Sequence, residues 1–331
     1  MKQEETILQV KKLCVDFKTR EGSVRVLDNI DLHLTAGESI GIVGESGCGK
    51  SMTAFSIMGL VPTPSGIISN GSILFKDIDL LKISETEMQD IRGNRISMIF
   101  QEPMTSLNPV FTVGNQIAES IQRHQQLSNH EARRKSLEML RAVKIPAPER
   151  RIRQYPHELS GGMRQRIMIA MALSCQPSVL IADEPTTALD VTVQAQILDL
   201  LRAMQKDMST AVILITHDMG VIAEFAERVI VMYAGRKVEE GTIKDIITNP
   251  FHPYTRGLLR CVPHLKDDPG EKREELSEIR GFVPDLSKLG TGCHFASRCD
   301  YVIEKCLTDT PVDEQIIKNH YVACWRSGAI Q

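Results

Sequence analysis

Residues 44–51 read Gly44-Glu45-Ser46-Gly47-Cys48-Gly49-Lys50-Ser51, a spacing of glycines, one lysine and one hydroxyl that suits a phosphate ligand. The glycines let the backbone curl so that successive N–H groups point inward at phosphate oxygens. Lys50 adds positive charge for the β and γ oxygens, and Ser51 offers its hydroxyl to Mg²⁺. Met52 continues into a helix expected from Lys50 to about Gly59, whose positive end faces the same phosphates. This chemistry predicts binding of a nucleoside triphosphate.

Two more groups of residues can do chemistry. Asp183-Glu184 follows the apolar run Val179–Ala182 (VLIA). A carboxylate at the end of a buried strand beside a phosphate loop can hold Mg²⁺, the role expected of Asp183. Glu184, one residue on, can polarise the water that attacks the γ-phosphate. A kinase would need a pocket for an acceptor, and the sequence shows no sign of one. The other group is Cys293, Cys299, Cys306 and Cys324, spaced C-x5-C-x6-C-x17-C. In a reducing compartment such a cluster reads as a metal site rather than as disulfides. Four thiolates suit tetrahedral Zn²⁺ or an iron–sulfur cluster, with His294 and His320 as alternative ligands.

These residues need elements to position them. Ser39–Val43 (SIGIV) reads as a short strand leading into the glycine turn. Val179–Ala182 and Ala211–Thr216 (AVILIT) are continuous apolar runs, as in strands buried on both faces. Arg228–Met232 and Lys237–Glu239 read as a strand, turn and strand. Between Phe111 and Met171 the pattern is helical, with Leu137, Leu140 and Val143 on one side of Glu131–Val143, so a helical insertion is expected at about 102–175. After Asn249-Pro250 periodicity fades and Lys266–Arg280 is mostly polar. The expected organisation is an α/β ATPase domain over 1–250 and a small cysteine-containing module over 251–331. Of 331 residues, 42% are hydrophobic, enough for a sizeable core. Basic residues number 39 against 42 acidic ones, a net charge of −3 that argues against a nucleic-acid backbone as the main partner. No apolar run approaches the roughly 20 residues of a membrane span. The acidic start MKQEETILQV lacks signal-peptide features, so a cytosolic protein is expected.

Leu159–Arg166 (LSGGMRQR) resembles the signature of ABC-type ATPases. Ser160 is a good N-cap, and Gly161-Gly162 leave amides bare at a helix start, an anion-binding end. The family's other landmarks follow in order. Gln101, after Ile96–Phe100, is similar to the Q-loop residue, Ala188-Leu189-Asp190 to the D-loop and His217 to the switch histidine. Phe17 sits where the family keeps a ring to stack on adenine. The resemblance implies that the signature of one subunit closes over ATP held by the P-loop of another. One P-loop and one signature per chain therefore imply a dimer, with a second copy or a similar ATPase. Ser160 and Gly162 would then serve the partner's nucleotide, and Gly161 and Asp190 are also expected to bind nucleotide. His217 would contact the γ-phosphate. Gln101 would touch Mg²⁺ or water and sense the transport subunits. Met163 stands where glutamine is commoner, putting one polar contact near the ribose in doubt, and Cys48 replaces a commoner serine.

Longer phrases resemble one branch, the ATPase subunits of bacterial dipeptide and oligopeptide importers: Gln101–Pro109 (QEPMTSLNP), Ile181–Val191 (IADEPTTALDV) and His252–Leu259 (HPYTRGLL). The resemblance covers nearly the whole chain. It implies ATP hydrolysis driving peptide import, two membrane-embedded permeases, an indirect extracytoplasmic binding protein, and a peripheral position on the cytoplasmic face of the inner membrane. It also implies a [4Fe–4S] cluster on the four cysteines, expected to be structural. Glutathione, nickel or small sugars remain open as cargo. A soluble ABC-type ATPase acting on nucleic acid or ribosomes is the rival, disfavoured because no coiled-coil insertion or second ATPase domain is present. A third reading makes the cysteine tail an electron-transfer or iron-sensing unit, which its small share of the chain opposes.

Overall fold

The computed structural model of the protein describes residues 5–20, 22–101, 106–187, 189–261 and 278–328. In chain order its first elements are β1 (Thr6–Thr19), β2 (Gly22–Thr35), β3 (Ser39–Val43), α1 (Lys50–Ile57), β4 (Gly66–Phe75), β5 (Ile78–Asp79), α2 (Glu85–Ile91) and β6 (Ile96–Ile99). A helical stretch follows: α3 (Val113–Gln125), α4 (Asn129–Ala142), α5 (Pro148–Arg151) and α6 (Gly161–Leu173). Next come β7 (Val179–Asp183), α7 (Val191–Met208), β8 (Ala211–Thr216), α8 (Met219–Phe225), β9 (Arg228–Tyr233), β10 (Arg236–Thr242), α9 (Ile243–Thr248) and α10 (Pro253–Arg260). The tail adds α11 (Glu304–Thr308), β11 (Glu314–Ile317) and β12 (His320–Val322). The class is mixed α/β, as expected. Of the polar stretch 266–280, only residues 278–280 are described.

The chain divides into two compact units. The first takes the described residues within Met1–Leu8, His33–Glu38 and Leu74–Leu214. There β6 and β7 pair in parallel from Ile96↔Val179 to Ile99↔Ala182, both buried along their length. Continuous apolar runs make such strands because both faces are covered. The helices of this unit start where the sequence supplies caps. Ser128 and Glu131 form a capping box on α4, and Thr112 caps α3. The packed face of α3, α4 and α6 buries Ile117, Ile121, Leu140, Ile167 and Ile169. Gly114 is required there, since a Cβ would come within 2.4 Å of Ile152.

The second unit takes the described residues within Gln9–Leu32, Ser39–Ile73 and Ile215–Gln331. Its strands run in the order β11-β12-β10-β9-β3. β3 pairs with β9 in parallel, and β9, β10, β12 and β11 pair antiparallel in turn. The β9–β10 hairpin turns at Ala234 and Gly235, both left-handed (φ 43° and 81°). The residues after 250 thus add two strands to the sheet that β10 belongs to. Tyr254 and Phe295 pack edge-on against Tyr233, with ring centroids 4.7 and 5.1 Å away, and lie tilted to each other at 5.4 Å. No helix among the described residues is long and apolar enough to cross a membrane.

Candidate functional site

The glycine turn leaves β3 at Gly44 and enters α1 at Lys50, in the second unit. Gly44, Gly47 and Gly49 all have positive φ (156°, 79° and 103°). At Gly44 the need for glycine is also steric, because a Cβ would meet the Met232 carbonyl oxygen at 2.2 Å. Lys50 is buried, and its ammonium donates to the carbonyls of Gly44 (2.7 Å) and Glu45 (3.1 Å). The loop therefore holds its cation against its own backbone, inside the curl where phosphate oxygens would sit. Ser46 and Gly47 are exposed, while Ser51 and Met52 are half-buried on the first turn of α1. Cys48 is fully buried, and burial pushes its thiol up despite the nearby Lys50 charge. Phe17 is half-buried on β1, and a Cβ on Gly66 would come within 2.9 Å of its ring. His217 is exposed immediately after β8, where Asp218 caps α8.

In the first unit, Asp183 ends β7 and is buried. Glu184 follows with a left-handed backbone, φ 46°. Its Oε2 accepts from Gln101 Nε2 at 2.9 Å and from Thr187 Oγ1 at 2.8 Å. The fold thus brings Gln101 and Glu184 together. Thr187 was missed by sequence reasoning; a hydroxyl three residues after the carboxylate was the available signal. Ser160 caps the 13-residue α6, accepting from Met163 N–H at 3.4 Å, and Asp190 caps α7, accepting from Val193 N–H at 2.9 Å. Ser160, Gly161, Gly162, Met163, Leu189 and Asp190 share a cleft of about 440 Å³. A Cβ on Gly161 would meet nothing within 4 Å, so this helix end is open to a ligand. The aligned N–H groups there favour an anion. Ala188 and residues 102–105 of the expected motifs lie outside the described residues.

Cys293, Cys299, Cys306 and Cys324 line one small cavity of about 10 Å³, with Phe295 and Trp325. Burial pushes the Cys293 and Cys324 thiols up to about 11. The cavity has room for about one water, and among the described residues no group of three or more His, Cys, Asp or Glu is arranged to hold a metal ion. Four sulfurs around one space suit a metal in kind, but their arrangement does not fit one. The expected iron–sulfur or zinc site is therefore unsupported. The alternative ligands are engaged elsewhere: His294 Nδ1 lies 2.7 Å from the Ala234 carbonyl, and His320 Nε2 lies 2.8 Å from Glu239.

Two further contacts to the loop were not legible in the sequence. Arg298 reaches Glu45 with both terminal nitrogens (2.7 and 3.1 Å), and the Tyr254 hydroxyl accepts from Glu45 N–H at 2.8 Å. Burial works against the Arg298 charge, but its bonds to Glu45 and Tyr233 win and raise it above the ordinary range.

A glycine-rich loop with a buried lysine, a buried aspartate followed by a hydrogen-bonded glutamate, and an SGG helix cap define an ATP-binding cassette. The chain belongs to the ABC transporter family of ATP-binding subunits, and as such is an ATP hydrolase. The family model described as ABC transporter matches residues 27–187. A second, described as the oligopeptide/dipeptide transporter C-terminal region, matches residues 238–306. The chain is 52% identical to the dipeptide transport ATP-binding protein DppD of Bacillus subtilis, over 97% of this chain and 95% of the relative. It is 50% identical to the oligopeptide transport ATP-binding protein OppD of the same organism, over 96% of this chain and 88% of the relative. Among solved structures it is similar to the ATP-binding cassette MJ0796, a dimer in a post-hydrolysis state bound to ADP and Pi. That likeness has a TM-score of 0.64 and 29% identity, over 71% of this chain and 98% of the other.

Proposed function

We propose that this chain is the ATP-hydrolysing subunit that energises peptide import across the cytoplasmic membrane, seated peripherally on its inner face. Two integral-membrane permeases and a second ATPase subunit complete the machine, with an extracytoplasmic binding protein delivering cargo. The observation that carries this reading is the pairing, in one chain, of a single phosphate loop with a single open SGG helix end. Each is half of an ATP site, so two chains are needed to enclose a nucleotide. The names of the relatives, which describe dipeptide and oligopeptide transport, support peptide as the cargo.

In this reading Gly44–Met52 cradle the triphosphate of ATP, and Lys50, held by its two backbone carbonyls, gives its remaining ammonium donor to a phosphate oxygen. Ser51, Gln101 and Asp183 offer the hard oxygen ligands that Mg²⁺ prefers, and the bound ion would neutralise phosphate charge. Glu184 orients and polarises the attacking water, with Gln101 and Thr187 fixing its carboxylate. His217 contacts the γ-phosphate, and Phe17 stacks on adenine. Ser160, Gly161, Gly162 and Asp190 close over the partner's nucleotide. The cysteine quartet remains a candidate staple for the tail, supported only by its convergence on one cavity. Iron and zinc analysis of anaerobically purified protein tests it, and a metal-free, equally stable preparation rejects it.

The central test is Glu184→Gln. Loss of a general base lowers turnover by about 10²–10⁴-fold, so this variant should bind ATP–Mg²⁺, stop hydrolysing and accumulate as a dimer on size exclusion. Lys50→Ala should not bind. Hydrolysis by Glu184→Gln at the normal rate would remove the assigned role. Co-purification from membranes with permeases unrelated to peptide uptake would overturn the cargo.

A further inference from the structure

The phosphate loop is gripped from outside by residues far along the chain. Arg298 makes a two-pronged ion pair with Glu45, the second residue of the loop, and its side chain is only 3% exposed. Its other donors are all occupied. Nε donates to the Arg280 carbonyl (2.8 Å), Nη2 also to those of Ile279 (3.1 Å) and Gly281 (3.2 Å), and Nη1 also to the Tyr233 hydroxyl (3.3 Å). The guanidinium lies over the rings of Tyr233 and Phe295, at 5.7 and 6.0 Å. A planar fork held this way cannot follow a moving partner, so it fixes Glu45 in place. The Glu45 main chain is held separately, by its N–H donating to the buried Tyr254 hydroxyl.

Glu45 matters because its carbonyl is one of the two that hold Lys50. The loop around it contains three glycines of positive φ, the residues with the most backbone freedom to lose on binding. Without an outer anchor that loss falls on nucleotide binding. With one, the amides and the lysine stand preformed, and less ordering accompanies ligation.

We propose that Arg298 and Tyr254 are positioning residues of the ATPase reaction: by clamping Glu45 they preform the phosphate loop, and the C-terminal region thereby sets nucleotide affinity. They do not touch substrate. They act through Glu45 and Lys50.

The test uses the full chain, with ATP affinity read by displacement of a fluorescent analogue and turnover measured in parallel. Charge-assisted bonds of this kind predict that Arg298→Ala raises Kd and KM for ATP about tenfold. At saturating ATP its kcat should stay within about twofold. Arg298→Lys should recover part of the loss, and Tyr254→Phe, which removes only the hydroxyl, should raise Kd about threefold. Glu45→Gln combined with Arg298→Ala should bind ATP no worse than Arg298→Ala alone. If Arg298→Ala unfolds the tail, Tyr254→Phe and Glu45→Gln carry the test by themselves. Variants that lower Tm while ATP Kd stays within about twofold of the parent would reduce both residues to structural fasteners. Multiplicative effects of Glu45→Gln and Arg298→Ala would equally overturn the clamp.

Discussion

Glu239 offers a severe test of how the tail is tied to the sheet. It sits on β10 with no exposed surface, yet carries a carboxylate. Oε1 accepts from Phe251 N–H (2.7 Å) and faces His320 Nε2 (2.8 Å), while Oε2 accepts from His252 N–H (3.0 Å). One side chain therefore accepts from two N–H groups of the segment leading into α10 and faces one imidazole nitrogen on β12. Replacing it with alanine strands all three in a dry site, where each costs about 1–3 kcal/mol. Removing a buried carboxylate also returns its own desolvation penalty, which brings the net loss to about 3–5 kcal/mol. For a unit of this size that corresponds to a fall in Tm of about 10 °C. Glu239→Gln keeps the acceptor for Phe251 and His320 but turns an N–H toward the His252 N–H. It should lose about 1–2 kcal/mol. The assay is thermal unfolding of the three proteins at one pH, with limited proteolysis after residue 250 as a second probe. An alanine variant melting within about 2 °C of the parent, or a glutamine variant less stable than alanine, would refute the reasoning.

Other outcomes follow from the same geometry. Gly47→Ala meets no neighbour and bears only the left-handed backbone cost, about 1 kcal/mol. Gly44→Ala drives a Cβ into the Met232 carbonyl and should lower the nucleotide-free Tm several times further; equal shifts in the two would contradict this. Cys48, buried and with its thiol pushed up, should react with maleimide at pH 7 far more slowly than the exposed Cys261. Mild oxidant should then leave ATP binding unchanged, and fast modification of Cys48 in folded protein would count against it.

The parts legible in the sequence were those whose signal is local. Ser39–Val43 and Ala211–Thr216 read as strands because every position in them is apolar or small, and the structure gives both those bounds. Helix α4 was visible through Leu140 and Val143, and its start through Ser128 and Glu131 only once the cap was seen. The long strands β1 and β2 escaped because Lys12 and Asn29 adopt left-handed backbone (φ 46° and 53°) and break the alternation that marks a half-buried strand. At the site, the phosphate loop and Asp183-Glu184 announce themselves by spacing. Arg298 and Tyr254 do not, since they meet Glu45 across 253 and 209 positions and no local pattern encodes such a pair. The cysteine quartet is the opposite case: its spacing suggested a metal, and the structure brings all four sulfurs to one cavity of about 10 Å³, but among the described residues it shows no metal-binding arrangement that would support the reading.

Glu184 occupies a conformation that suits glycine better than glutamate, with φ 46°. A side chain there costs the native state about 1 kcal/mol or more. Glu184→Gly would relieve that tension, and on the role proposed for Glu184 the relaxed protein would no longer cut ATP. On that role, thermal robustness and turnover pull against each other at this one position. A screen of random variants for heat resistance alone would drift toward a sturdier, silent subunit.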